Sequence, residues 1–216
     1  MKLFNSSIIL IAFIMALSGC ATPNMNTQDK FLSAAPRSIL VVPVVNKSVE
    51  VTAADYMLST ISIPLAERGF YVFPINLVKR VLEDDGLADS SMVHAASASK
   101  LASLFGADAV LYINIERWDA QYMVFTTTVT VALNYEIRDG KTDEVLWRNS
   151  AKIVYQPDGG GGGGIGGLIA KAVVAAVTKA SPNYMPLAHQ ANAVALRMYP
   201  GSGIPFGPYK TIEKPL

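Results

Sequence analysis

Apolar positions along this chain repeat with two different periods, and each change of period marks a new element. Residues 39–45 read Ile-Leu-Val-Val-Pro-Val-Val, a continuous β-branched run expected of a strand buried on both faces, with Pro43 at a bulge or an incompletely paired position. Ala54, Met57, Leu58, Ile61 and Leu65 then recur on one helical face before Gly69, and Thr52 has capping-box spacing to Asp55. Pro64 is expected to kink or interrupt that helix. A second strand is predicted over residues 70–75, followed by a short helix capped by Asn76 that carries Leu77, Val78, Val81 and Leu82 up to Gly86. Another helix is expected over residues 98–105, with Leu101, Leu104 and Phe105 inward and Gly106 as its stop, and residues 108–118 form a third strand.

From Met123 the period becomes two. Phe125, Thr127, Val129, Val131, Leu133, Tyr135 and Ile137 alternate with polar positions, as in a long half-buried antiparallel strand. Residues 138–142, Arg-Asp-Gly-Lys-Thr, supply a turn, and Val145, Trp147, Ala151, Ile153 and Tyr155 continue the alternation on the return strand. A glycine-rich loop, residues 159–167, opens an Ala/Val-rich helix reaching about Lys179, and a last helix is expected over 185–199 before a Pro/Gly-rich tail. The fold class is therefore α/β: one three-layer-like domain with a mixed sheet, βαβααβ followed by a long antiparallel hairpin and C-terminal helices.

The first residues belong to a different category. Ten consecutive apolar residues, 8–17, follow Met1-Lys2 and a polar stretch; this is too short to cross a hydrocarbon core that needs about 20 helical residues, and it reads as a signal peptide over 1–19. Leu17, Ser18, Gly19 and Cys20 resemble the bacterial lipobox, in which small residues admit the peptidase and the cysteine thiol takes a diacylglycerol, with palmitate among the acyl chains expected. Cys20 is the only cysteine, so it has no disulfide partner within the chain. Ala21 stands where an Asp would favour retention in the inner membrane, so the resemblance implies the outer membrane. Residues 20–36 are polar and small with two prolines and read as a lipidated tether, leaving 37–216 as the periplasmic domain.

Composition narrows the function classes. Of 216 residues 51% are hydrophobic and 16% charged, which excludes a disordered chain, and a net charge of +1 provides no basic excess for nucleic acid. The glycine run lacks the Gly-Lys-Ser/Thr of a phosphate loop, since Gly167 is followed by Leu168-Ile169, and reads as a flexible connection. His94 and His189 have no metal-ligand spacing, and no nucleophile elbow surrounds Ser90 or Ser91. No catalytic residue, metal ligand or cofactor is expected; the only added group is the covalent lipid on Cys20. Residues 165–177 are apolar on nearly every side, broken by Lys171, and too short to span a bilayer. Burial against the sheet, a homodimer or partner contact, and membrane insertion all fit this pattern, with Ile165, Leu168, Ile169, Val173 and Val177 as candidate interaction residues.

The lipobox, ILVVPVVNKS at 39–48, ERGFYVFP at 67–74, LFGADAVLYINIERW at 104–118 and RDGKTDEVLW at 138–147 together resemble a family of bacterial lipoproteins of unknown function that includes a meningococcal surface-antigen candidate. Its members end in a tail similar to residues 204–209, IPFGPY; this chain departs from them in Lys210-Thr211, where His-Pro is expected. The resemblance implies a fold related to the TolB amino-terminal domain and to CsgG, and supplies no catalytic residues. Two roles are in view: an outer-membrane lipoprotein assembling with itself and a CsgG-like partner in envelope transport or secretion, or a regulatory lipoprotein docking on a peptidoglycan synthase.

Overall fold

The computed structural model describes residues 27–122, 127–155, 185–196 and 203–210. The elements in chain order are α1 (Thr27–Ala34), β1 (Ser38–Val41), β2 (Val45–Asn46), α2 (Ala53–Glu67), β3 (Tyr71–Val72), α3 (Ile75–Asp84), α4 (Ser90–Ala95), α5 (Ala98–Phe105), β4 (Ala109–Tyr122), β5 (Thr127–Asp139), β6 (Val145–Tyr155) and α6 (Met185–Leu196). They build a mixed six-stranded sheet in the order β3-β1-β4-β5-β6, with β2 pairing on β4 beyond the end of β1. β1 is parallel to β3 and β4, whereas β4, β5 and β6 form an antiparallel meander.

Helices cover both faces of the parallel half, so β1 and β4 are apolar at consecutive positions. Ile39, Val41, Leu111, Ile113 and Ile115 point into a larger core shared with α1, α2 and α6, while Leu40, Val42, Val110 and Tyr112 point into a smaller one under α3, α4 and α5. Pro43 ends β1, and its missing N–H explains why the apolar run becomes two short strands instead of one. The register of β4 on β5 shifts between Ile115 and Arg117. That bulge at Glu116 resets the alternation, so Trp118 returns to the larger core and stacks on Tyr56 with ring centroids 6.5 Å apart.

Several expectations from the sequence are corrected. Residues 20–36 are not a tether throughout, because 27–34 form α1: Phe31, only 2% exposed, enters the larger core edge-on to Phe70 at 5.9 Å, and Lys30 pairs with Glu144. The folded domain therefore includes α1, ahead of position 37. Thr52 makes no side-chain cap, its hydroxyl donating instead to Glu50 Oε1 at 2.6 Å, and the helix runs through Pro64 to Glu67 without interruption. The second strand shrinks to Tyr71–Val72, and the following helix starts at Ile75, so Asn76 lies inside its first turn. Leu104 faces outward and is exposed. A helix unforeseen in the sequence, α4, is capped by Asp89, whose carboxylate accepts the Ser91 and Met92 N–H groups at 2.8 and 3.1 Å.

The last helix is held by a buried polar relay. Tyr135 Oη donates to Asn192 Oδ1 at 2.9 Å, Asn192 Nδ2 donates to Thr60 Oγ1 at 2.9 Å, and Thr60 Oγ1 donates to the Tyr56 carbonyl at 2.8 Å. Asn192 and Thr60 are fully buried, and burial pushes the Tyr135 phenol well above its ordinary range. These bonds join β5, α6 and α2 inside the larger core. Asn192→Ala is expected to lower the unfolding free energy by about 1–3 kcal/mol, because it leaves the Tyr135 hydroxyl buried without an acceptor; urea titration should show a lower midpoint at an unchanged slope.

Candidate functional site

The most constructed surface of the domain lies at the end where the parallel strands begin. There the corner between α2 and β3 receives the C-terminal segment 203–210. Gly207 N donates to Arg68 O at 2.9 Å, Tyr209 N to Gly69 O at 3.0 Å, and Arg68 Nη1 to Ile204 O at 3.2 Å. Ile204 is fully buried in the larger core and fixes the segment in place. The two backbones touch, since a Cβ on Gly69 would stand 2.2 Å from Lys210 N and one on Gly207 would stand 2.2 Å from Gly69 O. Gly69 also has φ +89°, a conformation that side-chain-bearing residues rarely adopt.

Two residues after the buried Ile204, Phe206 is 54% exposed. The Arg68 guanidinium lies 5.0 Å from its ring centroid and the Lys210 ammonium 5.8 Å, both within cation–π range. On one side of Phe206 a groove of about 210 Å³ is bounded by Phe31, Leu32, Pro36 and Pro208. On the other, a groove of about 290 Å³ is bounded by Pro64, Glu67, Ala193 and Leu196. The arrangement offers an aromatic ring with flanking cations on a rigid backbone, suited to contact rather than to bond-making.

A second cluster occupies the sheet face under α4 and α5. Glu136 accepts from Arg138 Nε and Arg148 Nε, each at 2.5 Å, and the Arg138 guanidinium stands 5.4 Å from the Tyr112 ring centroid. Burial raises the affinity of Glu136 for a proton, but the two arginine hydrogen bonds outweigh it and hold the carboxyl below its ordinary value. The Tyr112 hydroxyl is buried without a hydrogen-bond partner among the described residues, and burial pushes its pKa up to about 12. His94 packs edge-on against Tyr112 at 5.1 Å and bonds through Nε2 to the Pro43 carbonyl at 3.0 Å. Its pKa is lowered, mainly by burial, with Arg138 and Lys47 adding to the shift and the Pro43 bond and Glu136 opposing it. This cluster ties α4 to the sheet.

A cleft of about 620 Å³ opens between α2 and the start of α3 and is lined by Asp55, Ser59, Ser62, Phe73, Asn76 and Lys79 among others. Ser59 uses its hydroxyl on the Tyr56 carbonyl at 2.9 Å and on Met185 Sδ at 3.4 Å. Neither histidine lines this cleft. Among the described residues no three His, Cys, Asp or Glu side chains come together as metal ligands, and no helix is long and apolar enough to cross a membrane.

The residues singled out in the sequence, Leu17, Ser18, Gly19 and Cys20 together with Ile165, Leu168, Ile169, Val173 and Val177, lie outside the described residues. What the sequence did not reveal is that α1 and the C-terminal segment border one groove beside the α2–β3 corner. The available signals were Phe31-Leu32, an apolar pair inside a polar stretch, and the two glycines, one in Arg68-Gly69-Phe70 and one in Phe206-Gly207-Pro208.

The model of the family described as "Putative lipoprotein GNA1162-like" matches residues 28–209. The lipoprotein NMB1124/NMB1162 of Neisseria meningitidis serogroup B is 30% identical over 210 residues, which cover 96% of this chain and 98% of that protein. The crystal structure of lipoprotein GNA1162 from Neisseria meningitidis is 34% identical, with a TM-score of 0.56, over 65% of this chain and 96% of that one.

Gly69→Ala is expected to release the C-terminal segment and to cost about 2 kcal/mol or more, since left-handed backbone and a backbone clash add; faster proteolysis near residue 204 and a lower urea midpoint would report it. The depressed His94 pKa sets a sign for pH dependence. The unfolded chain holds the imidazole proton more tightly, so His94 supports the fold at neutral pH, and this contribution is lost as pH falls through the ordinary value of 6.5 and below. Between about pH 7.5 and pH 5 the parent protein should therefore lose more stability than His94→Asn, measured by urea unfolding at each pH.

Proposed function

The chain belongs to the GNA1162-like lipoprotein family, and from that premise we propose that it is a non-enzymatic lipoprotein held on the outer membrane through Cys20, whose domain assembles with itself and with a CsgG-like lipoprotein in envelope transport or secretion. The observation that carries the anchored part is sequence distance. Leu17-Ser18-Gly19-Cys20 ends only six residues before α1, and α1 is built into the larger core, so a lipid on Cys20 is joined almost directly to the folded domain.

Each acyl methylene buried in a bilayer contributes about 0.8 kcal/mol, so two or three chains hold such a domain durably where one would hold it marginally. Ala21 supports the outer membrane, in keeping with lipoproteins that lack Asp at that position. The apolar residues Ile165, Leu168, Ile169, Val173 and Val177 support self-assembly, and the ring and cations at Phe206 support contact instead of chemistry.

Cys20→Ala is expected to accumulate the uncleaved precursor and to abolish incorporation of a clickable palmitate analogue in growing cells; normal acylation of that variant would refute the lipobox assignment. The acylated protein purified from detergent-solubilised envelopes is expected to carry copies of itself and a secretion lipoprotein. A peptidoglycan polymerase in the eluate, with no secretion component, would overturn the transport role in favour of synthase regulation.

A further inference from the structure

We propose that the end of the domain bearing Leu32, Phe206 and Pro208 rests against the lipid surface that holds its own anchor, with Phe206 entering the headgroup layer. The inference builds on the lipid-anchored reading above and adds an orientation to it. Leu32 is 57% exposed and Phe206 54%, and both border the same groove with Pro208. Tyr209, next in sequence, is exposed as well.

The occupant follows from chain length and charge. Residues 21–26, fully extended, let Cys20 stand at most about 24 Å from Thr27, and Leu32 lies five residues, about 7.5 Å, further along α1. A tether this short keeps the α1 end of the domain near the bilayer. An aromatic ring with long cationic side chains at its face matches an interface, where rings sit at headgroup depth and Arg and Lys reach toward phosphates. Arg68 and Lys210 provide those cations. Of the acidic groups near this end, Glu144 pairs with Lys30, Asp108 with Arg37 and Asp143 with Arg138, while Asp29, Glu67 and Asp139 are matched in number by Arg68, Lys141 and Lys210, so no strong negative field opposes approach. The Gly69–Gly207 backbone contact presents the ring rigidly, so little order has to be created on docking.

The test uses the acylated protein in phosphatidylcholine/phosphatidylglycerol vesicles with brominated acyl chains, carrying Phe206→Trp or, separately, Leu32→Trp. Trp118 and Trp147 of the parent are buried and supply a constant background. Each introduced tryptophan is expected to emit at shorter wavelength than in non-acylated protein free in buffer, and to lose about half of its emission to the bromines, as for a ring at interfacial depth. Protein that floats with the vesicles while both tryptophans emit as in water, unquenched, overturns the orientation and leaves the anchor standing. A blue shift without quenching that disappears on diluting protein among vesicles overturns it in favour of a second copy on this face. Mature protein whose mass shows an unmodified Cys20 removes the anchored reading and the orientation together.

Discussion

β4 has to fill two cores at once. Its residues alternate between the larger core, through Leu111, Ile113 and Ile115, and the smaller one, through Val110 and Tyr112, while its backbone pairs in parallel with β1 and β2 and antiparallel with β5. Every layer of the domain is therefore positioned by one strand. This double duty ends at Tyr112: from Asn114 the smaller-core face gives way to a hydrogen-bonded polar lattice in which Glu116 accepts from Lys47 and Asn134, and Ser150 donates to Asn134, and after the bulge at Glu116 Trp118 serves the larger core.

Those parts of the fold that rest on periodicity were legible in the sequence. The unbroken apolar runs of β1 and β4, the alternation of β5 and β6, and the helix from Ala98 to Gly106 all express burial that the chain records locally. What was not legible depends on partners distant in sequence. α1 carries a single buried residue, Phe31, so its amphipathic signal is too weak to stand out from a polar tether, and its stability comes from Phe70 and Glu144 instead of from its own pattern. The Thr52 capping-box spacing was misleading for a comparable reason: Glu50 competes for the hydroxyl, a contact two residues away that spacing alone does not weigh. Asp89 displays the opposite case, a cap whose signal is wholly local, its carboxylate closing on the N–H groups of Ser91 and Met92.

The candidate site was legible only as loose residues. IPFGPY could be recognised as a tail motif, yet its meaning lies in the glycine of the α2–β3 corner, more than a hundred positions earlier, which permits the two backbones to meet. Likewise the relay from Tyr135 through Asn192 to Thr60 joins three elements whose sequences show only a tyrosine, an asparagine and a threonine among apolar neighbours. Residues of this kind are fixed by geometry that arises after the chain has folded, and no local period announces them.

The direction of the strands also orders the molecule along its length. α1 and the C-terminal segment meet where β1, β3 and β4 start, whereas β6 ends at Tyr155, opposite Val129, near the far tip of the β4–β5 hairpin. Fourteen residues of β4 separate these poles by about 45 Å. With the α1 pole resting on the bilayer as proposed, the sheet stands as a mast whose far tip and the end of β6 are carried about three to four nanometres above the headgroups, so a companion gripping that tip would be met well clear of the leaflet surface.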